Sequence, residues 1–258
     1  MSGEIGQFAL IALAAFAAGA MNSLAGGGTF FSFPALLAAG LPPVVANASN
    51  AVALWPASLS SAYAFRRELG RFAHSLPAMS LIALVGGAAG GLLLLAISNQ
   101  AFSRLIPWLL LIATLSFAAA GRLSALLSRR SPQGRGDRRK IGAGGLAFQL
   151  VVSIYGGFFG AGMGILMLAA LAIQGYEDIL EISALKNFLS AIIYSVAVVT
   201  FVSAGAVSWP HTLTMLVTAS LGGYFGARLA RKIPSAALRR FIVTVGLLLT
   251  FYYFVQTY

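Results

Sequence analysis

Residues 24–40 read LAGGGTFFSFPALLAAG, and residues 159–175 read FGAGMGILMLAALAIQG. In each, glycines interrupt an apolar run, at Ala25-Gly26-Gly27-Gly28 and at Gly160-Ala161-Gly162-Met163-Gly164. A short apolar stretch follows each break and ends in glycine, at Gly40 and Gly175. A helix start carrying asparagine comes next, at Asn47 and Asn50, then at Lys186-Asn187. Further on, each half shows Gly-Gly-x-x-Gly, at Gly86-Gly87-Gly90 and Gly222-Gly223-Gly226. Gly28 and Gly164 lie 136 positions apart, Asn50 and Asn187 137, Gly86 and Gly222 136. Paired interrupted segments in the two halves of an apolar chain point to a transporter with a midplane binding site.

Composition sets the class. Of 258 residues 59% are hydrophobic and 9% charged, against about 25% charged in a soluble domain. So much apolar surface cannot be hidden inside the chain itself, and the protein is read as an integral membrane protein. Barrel strands alternate apolar and polar residues. Residues 81–97 and 237–253 do not alternate. The spans are therefore helices, which satisfy their own backbone in lipid.

The net charge of +11 is not a nucleic-acid signal. Arg66, Arg67 and Arg71 form one basic cluster. Arg129, Arg130, Arg135, Arg138, Arg139 and Lys140 form a second, and Arg228, Arg231 and Lys232 a third. All sit at the ends of apolar runs, as cytoplasmic loops do. The absence of cysteine excludes disulfides and thiol chemistry. Residues 1–6 carry Glu4 and no Lys or Arg, so the first apolar run is expected to be retained as a helix.

Ten apolar segments are expected, at 5–24, 29–40, 46–65, 75–97, 104–127, 141–159, 163–174, 182–203, 211–230 and 237–256. The second and seventh hold only 12 residues each, about 18 Å of helix against a hydrocarbon core of roughly 30 Å. They are expected to be broken or re-entrant. Residues 128–140, SRRSPQGRGDRRK, form the only polar run of any length. The domain division follows: a first transmembrane repeat over 1–127, a cytoplasmic basic linker over 128–140 and a second repeat over 141–258. The expected fold is all-α, with two inverted-topology repeats of five segments each. Placing both termini outside puts the basic clusters in the cytoplasm and leaves Arg104 as the basic residue on the outer side.

Several polar groups stand out. Three glycines in a row leave backbone groups unpaired by the helix, and the next helix opens with free N–H groups suited to an anion. Packing or a plain kink is the rival reading of a single break. Asn22 and Ser23 precede the first break, and Thr29 and Ser32 follow it. Asn47 and Asn50 share a helix face with Ser49 between them. Lys186 either snorkels to the interface or contacts an anion. The candidate substrate-binding set is thus Asn22, Ser23, Gly26, Gly27, Gly28, Thr29, Asn47, Ser49, Asn50, Gly160, Gly162, Gly164, Lys186 and Asn187.

Other features read as structural. Gly86 with Gly90, and Gly222 with Gly226, have the spacing of close helix packing. Trp55-Pro56 reads as a kink and Pro107-Trp108 as an interfacial helix start. Gln149 is expected to bond a neighbouring helix. His74 and His211 are expected on opposite sides of the membrane as cap residues, a proton-coupling role being the rival. Glu177, Asp178 and Glu181 are expected to complement the start of the eighth helix.

The matching halves, the break followed by Phe33-Pro34-Ala35-Leu36-Leu37-Ala38-Ala39-Gly40-Leu41-Pro42-Pro43, and the run Gly156-Gly157-Phe158-Phe159-Gly160-Ala161-Gly162-Met163-Gly164 resemble the TauE/SafE family of sulfite exporters. The resemblance covers almost the whole chain. It departs at Thr29, which ends the first glycine run early, and at Asn47-Ala48-Ser49-Asn50, where Gly-Thr-Ser is typical. It implies a secondary transporter of a small sulfur-containing anion, usually outward, multi-pass in the bacterial inner membrane. The expected partners are that anion and the bilayer, with either a coupling proton or the membrane potential as driving force and with no nucleic acid, no cofactor and no metal; the oligomeric state stays open. An anion channel or a membrane subunit of a larger complex is the alternative. An enzyme is not expected, because no Asp or Glu falls inside an apolar run after Glu4 and neither histidine has a partner.

Overall fold

Among the described residues, ten α-helices account for the ten apolar stretches. The computed structural model describes residues 2–24, 27–64, 66–72, 74–129, 143–174, 176, 179–229 and 235–258, and among these no strand occurs. The helices are α1 (Ser2–Leu24), α2 (Thr29–Ala38), α3 (Pro43–Ala64), α4 (Leu76–Ala96), α5 (Asn99–Arg129), α6 (Ala143–Phe158), α7 (Met163–Ile173), α8 (Ile179–Ser203), α9 (Trp209–Leu229) and α10 (Ser235–Thr257). A 3₁₀ turn over Glu68–Phe72 joins α3 to α4. Windows in α1, α4, α5, α8 and α10 are long and apolar enough to cross a bilayer. The chain is a multi-pass helical membrane protein. As expected, α2 and α7 are short, at 10 and 11 residues.

The two short helices return along the helix before them. Gly156 on α6 packs beside Met163 at the start of α7, while the Gln174 amide, just past α7, reaches the Gly145 carbonyl at the start of α6 (3.3 Å). Gly28 tucks against Ala18 and Asn22 of α1, and the chain then climbs α2 to the level at which α3 begins. Each pair is a hairpin; Gly27 and Gly28 in the first turn, and residues 159–162 in the second, are buried.

Directions follow from named contacts. Phe8 stacks on His211 (5.0 Å between centroids) and Phe16 meets Phe225, so α1 and α9 run parallel. Gly86 meets Ser153 and Gly90 meets the Phe158 amide, so α4 and α6 run parallel. Trp108 packs on Phe254 and Gly246 on Thr114, so α5 and α10 are antiparallel. Ser49 holds the Ser208 amide beyond the end of α8 and Trp55 donates to Ser195, so α3 and α8 are antiparallel.

Exchanging each helix of the first five with its counterpart five places later reproduces most of the packing. α1 lies on α9 as α6 lies on α4, α2 on α3 as α7 on α8, and α2 meets α10 as α7 meets α5. The match reaches single residues. Gly86 faces Ser153 and Gly222 faces Phe16, and these partners stand 136 and 137 positions apart in sequence. The Gly-Gly-x-x-Gly motifs therefore pack helices together, as their spacing implies. The Gly226 contact lies outside the described residues.

Other expectations fall into place. Gln149 is fully buried and donates to the Met79 carbonyl of α4 (3.0 Å). His211 bonds Ser208 through Nδ1 (2.7 Å). Glu181 sits in the first turn of α8, near the positive end of the helix. Most boundaries fall within three residues of those expected, and one differs by five. α5 begins at Asn99, not 104, so Pro107 lies inside the helix. The polar start hid this: the Ser98 hydroxyl caps the Ala101 amide (3.2 Å), and Asn99 accepts from the Val44 amide (3.0 Å). The basic run 130–140, Arg231, Lys232, Glu177 and Asp178 lie outside the described residues.

A methyl at Gly222 would drive into the Phe16 carbonyl, whereas one at Gly144 meets nothing within 4 Å. Overpacking costs about 1–3 kcal/mol and outweighs the gain of about 1 kcal/mol in helix propensity. Gly222→Ala should lower the melting temperature in detergent and Gly144→Ala should not; equal effects would contradict the close approach.

Candidate functional site

The second break is built by backbone that only glycine adopts easily. Gly160 has φ +80° and Gly162 φ +72°. This turn lies deep in the protein, where lipid offers no hydrogen bonds, so its carbonyls need internal donors. Tyr194 donates to the Gly160 carbonyl (3.3 Å), and Tyr155 donates to that of Ala161 (2.7 Å). The Met163 amide also returns to Gly160 (3.2 Å), which leaves the N-terminal end of α7 facing the interior.

Lys186 crosses that end. A Cβ on Gly164 would stand 3.7 Å from Lys186 Cδ. Lys186 is partly buried on α8, and among the described residues it has no hydrogen bond and no ion pair. Asn187 beside it likewise has no hydrogen-bond partner there. One turn further, the Ser190 hydroxyl is buried and unpartnered. Tyr194 follows at the next turn, so Lys186, Ser190 and Tyr194 form one polar stripe on α8.

The first break is more self-contained. Gly27 packs on Ile242 of α10, and Gly28 precedes α2 without a side-chain cap. Ser32 bonds Asn50 Oδ1 and lies 3.2 Å from the Gly28 carbonyl, and the Asn50 amide reaches the Thr29 hydroxyl at 3.5 Å. Asn50 therefore locks α2 onto α3. Gly26 and the Ser23 side chain lie outside the described residues.

Asn47 joins the two halves. It is 2% exposed, and its Nδ2 donates to the Phe158 carbonyl where α6 ends (2.8 Å). Its Oδ1 is buried with no partner. Phe33 of α2 packs edge-on against Phe159 (5.5 Å), and Phe102 against Phe158 (5.5 Å). The two breaks are thus neighbours, with a phenylalanine cluster between them and the face where α3 begins.

Toward the opposite face a cavity of about 490 Å³ opens between α1, α3 and α9, lined by Asn22, Pro56, Ser60, Ser220 and Tyr224 among others. That volume lies within the usual range for small-molecule pockets, roughly 300–1,000 Å³. It reaches the first break because Asn22 abuts Gly28. Among the described residues no group of His, Cys, Asp and Glu could hold a metal.

The candidates thus divide. Asn50, Thr29 and Ser49 spend their hydrogen bonds on the fold, Ser49 by accepting the Ser208 amide (2.9 Å). Free capacity gathers on Lys186, Asn187, Ser190, Asn47 Oδ1 and Asn22. Ser190, Tyr155 and Tyr194 were not singled out from sequence; the spacing of Ser190 and Tyr194 from Asn187 on one helix face carried the signal.

Asn47→Ala would leave the buried Phe158 carbonyl without its donor, at about 1–3 kcal/mol. Tyr194→Phe should cost less, about 0.5–1.5 kcal/mol, because Gly160 keeps the Met163 amide. Thermal unfolding should rank Asn47→Ala as the more damaging change; the reverse order would contradict this geometry.

The sequence matches the family profile described as sulfite exporter TauE/SafE over residues 11–253. It is 27% identical over 254 residues to a "Probable membrane transporter protein" of Haemophilus influenzae, covering 95% of this chain and 94% of the relative. It is 29% identical over 238 residues to one of Escherichia coli K12, covering 90% and 84%. A third, from Sinorhizobium, is 28% identical over 250 residues, covering 93% and 90%. No solved structure matches at a significant level. These relatives are named as transporters, not enzymes, and the chain belongs to the TauE/SafE sulfite exporter family of membrane transporters.

Proposed function

We propose that this transporter carries a small sulfur-containing oxyanion, such as sulfite or an organosulfonate, outward across the bacterial inner membrane. In this reading the halves are inverted repeats that rock around one central site. Both termini face outward, and Arg66 and Arg67 face the cytoplasm.

The observation that carries the reading is the uncompensated ammonium of Lys186. An ion away from water costs several kcal/mol unless it is paired. Lys186 has no pairing carboxylate among the described residues, and it lies against the N-terminal end of α7, itself the positive end of a helix. Two positive features facing one space favour an anion there. Asn187 and Ser190 supply donors to its oxygens. Asn47 Oδ1 can accept only a hydrogen, so it suits a protonated oxygen or a retained water.

In this reading the cavity beside Asn22 leads from the cytoplasmic face to the first break, and the phenylalanine cluster closes the outer face. Alternating access then requires Phe33 and Phe102 to separate from Phe158 and Phe159 as the cavity shuts. A proton or the membrane potential supplies the driving force.

The test is sulfite counterflow in proteoliposomes. Lys186→Gln, with unchanged folding by size exclusion and melting, should reduce flux about 10–100-fold, the worth of a hydrogen bond to a charged group. Lys186→Arg should keep part of the activity. Wild-type flux in the Gln variant would remove Lys186 from the mechanism. Non-saturating flux would indicate a channel instead of a carrier.

A further inference from the structure

A second cavity, of about 920 Å³, lies at the face where α3 begins, between α2, the first turns of α5 and the last turns of α10. Its floor is apolar, with Pro34, Leu37, Ile106 and Leu249. Its rim carries Gln100, Arg104, Tyr252 and Gln256. None of these four side chains has a hydrogen-bond or ion-pair partner among the described residues. Arg104 is engaged only through its carbonyl, which accepts from the Tyr258 hydroxyl (3.3 Å). That bond and the Trp108–Tyr258 contact (3.4 Å) fix the wall formed by α5 and α10. Trp108, Tyr252 and Tyr258 mark this level as the membrane–water interface.

We propose that this cavity is a binding site for an anionic phospholipid, with the headgroup phosphate on Arg104 and the acyl chains on the apolar floor. Charge selects the ligand: Arg104 is a free guanidinium with amide and hydroxyl donors around it, a match for phosphate oxygens. Size selects the lipid over a free oxyanion. A sulfite-sized ion fills on the order of two or three water volumes of about 30 Å³ each, and would leave most of the cavity and all of its apolar floor uncovered. The amphipathic lining fits a molecule that is charged at one end and hydrocarbon at the other. Because α2 forms one wall, a bound lipid would brace the half-helix that Asn50 locks to α3. The site does not depend on what the central site transports.

The test uses the full chain, purified in detergent and delipidated, with melting followed after adding phosphatidylglycerol, phosphatidylcholine or inorganic phosphate. Phosphatidylglycerol should raise the melting temperature by about 3–5 °C, the effect of a ligand at several times its dissociation constant on a chain of this size. Phosphatidylcholine should do so by less than half as much. Arg104→Gln, melting like the wild type without lipid, should lose the increment, and Arg104→Lys should retain at least half of it. If Arg104→Gln does not purify, phosphatidylglycerol retained per protein by mass spectrometry, compared between wild type and Arg104→Lys with Gln100→Ala and Gln256→Ala, reads the same site; equal retention would overturn the proposal. An increment equal in Arg104→Gln, equal with both lipids, or reproduced by inorganic phosphate alone would overturn it, as would no increment with any addition.

Discussion

Hydrocarbon supplies no hydrogen bonds, and every feature of this protein's centre answers to that constraint. Two glycine-rich interruptions break the helical backbone within the apolar layer, and each exposed carbonyl or amide must find a partner inside the protein. The second break finds Tyr155 and Tyr194, whose hydroxyls hold the carbonyls of Ala161 and Gly160. The first finds the Phe31 amide, which returns to the Gly28 carbonyl (2.9 Å), and Asn50, which ties Ser32 and Thr29 to the next helix. Asn47 links one arrangement to the other through Phe158. The polar side chains of the core are thus largely the solvent for its broken backbone.

What remains after that requirement is met is the polar capacity that the proposed site would use. Asn50 looks like a ligand residue in the sequence but is spent on structure. Lys186, Asn187 and Ser190 are not spent among the described residues, and they lie on the half whose break holds Gly160 and Gly162 in left-handed backbone. The halves are alike in helix packing but differ in polarity: the polar groups near the first break bond within the fold, and these three on α8 near the second are left without partners among the described residues. The same asymmetry appears in closure. Phe158 and Phe159 fill the space before the second break, while the corresponding positions 136 residues earlier are Asn22 and Ser23, and Asn22 lines an open cavity.

Much of the fold was legible because apolar run length and glycine position are local properties. The ten segments, the shortness of α2 and α7, and the packing roles of Gly86 and Gly222 follow from them. The start of α5 was less legible, since its first turn is polar and its identity rests on Ser98 capping Ala101 and on Asn99 bonding a residue 55 positions away. The glycines marked the interruptions of the helices, but which polar groups are free depends on partners distant in sequence, such as Phe158 for Asn47 and Tyr194 for Gly160. No spacing rule supplies those pairings.

The central claim is that the polar stripe on α8 faces a hydrated space shared with the ligand. The chain has no cysteine, so a single thiol can be placed there without background. The most direct measurement is the rate at which a charged, membrane-impermeant thiosulfonate reagent modifies Ser190→Cys in native membranes, with and without methanesulfonate. The account expects modification that methanesulfonate slows; a thiol that never reacts from either side, or one that reacts at the same rate in both conditions, would contradict it.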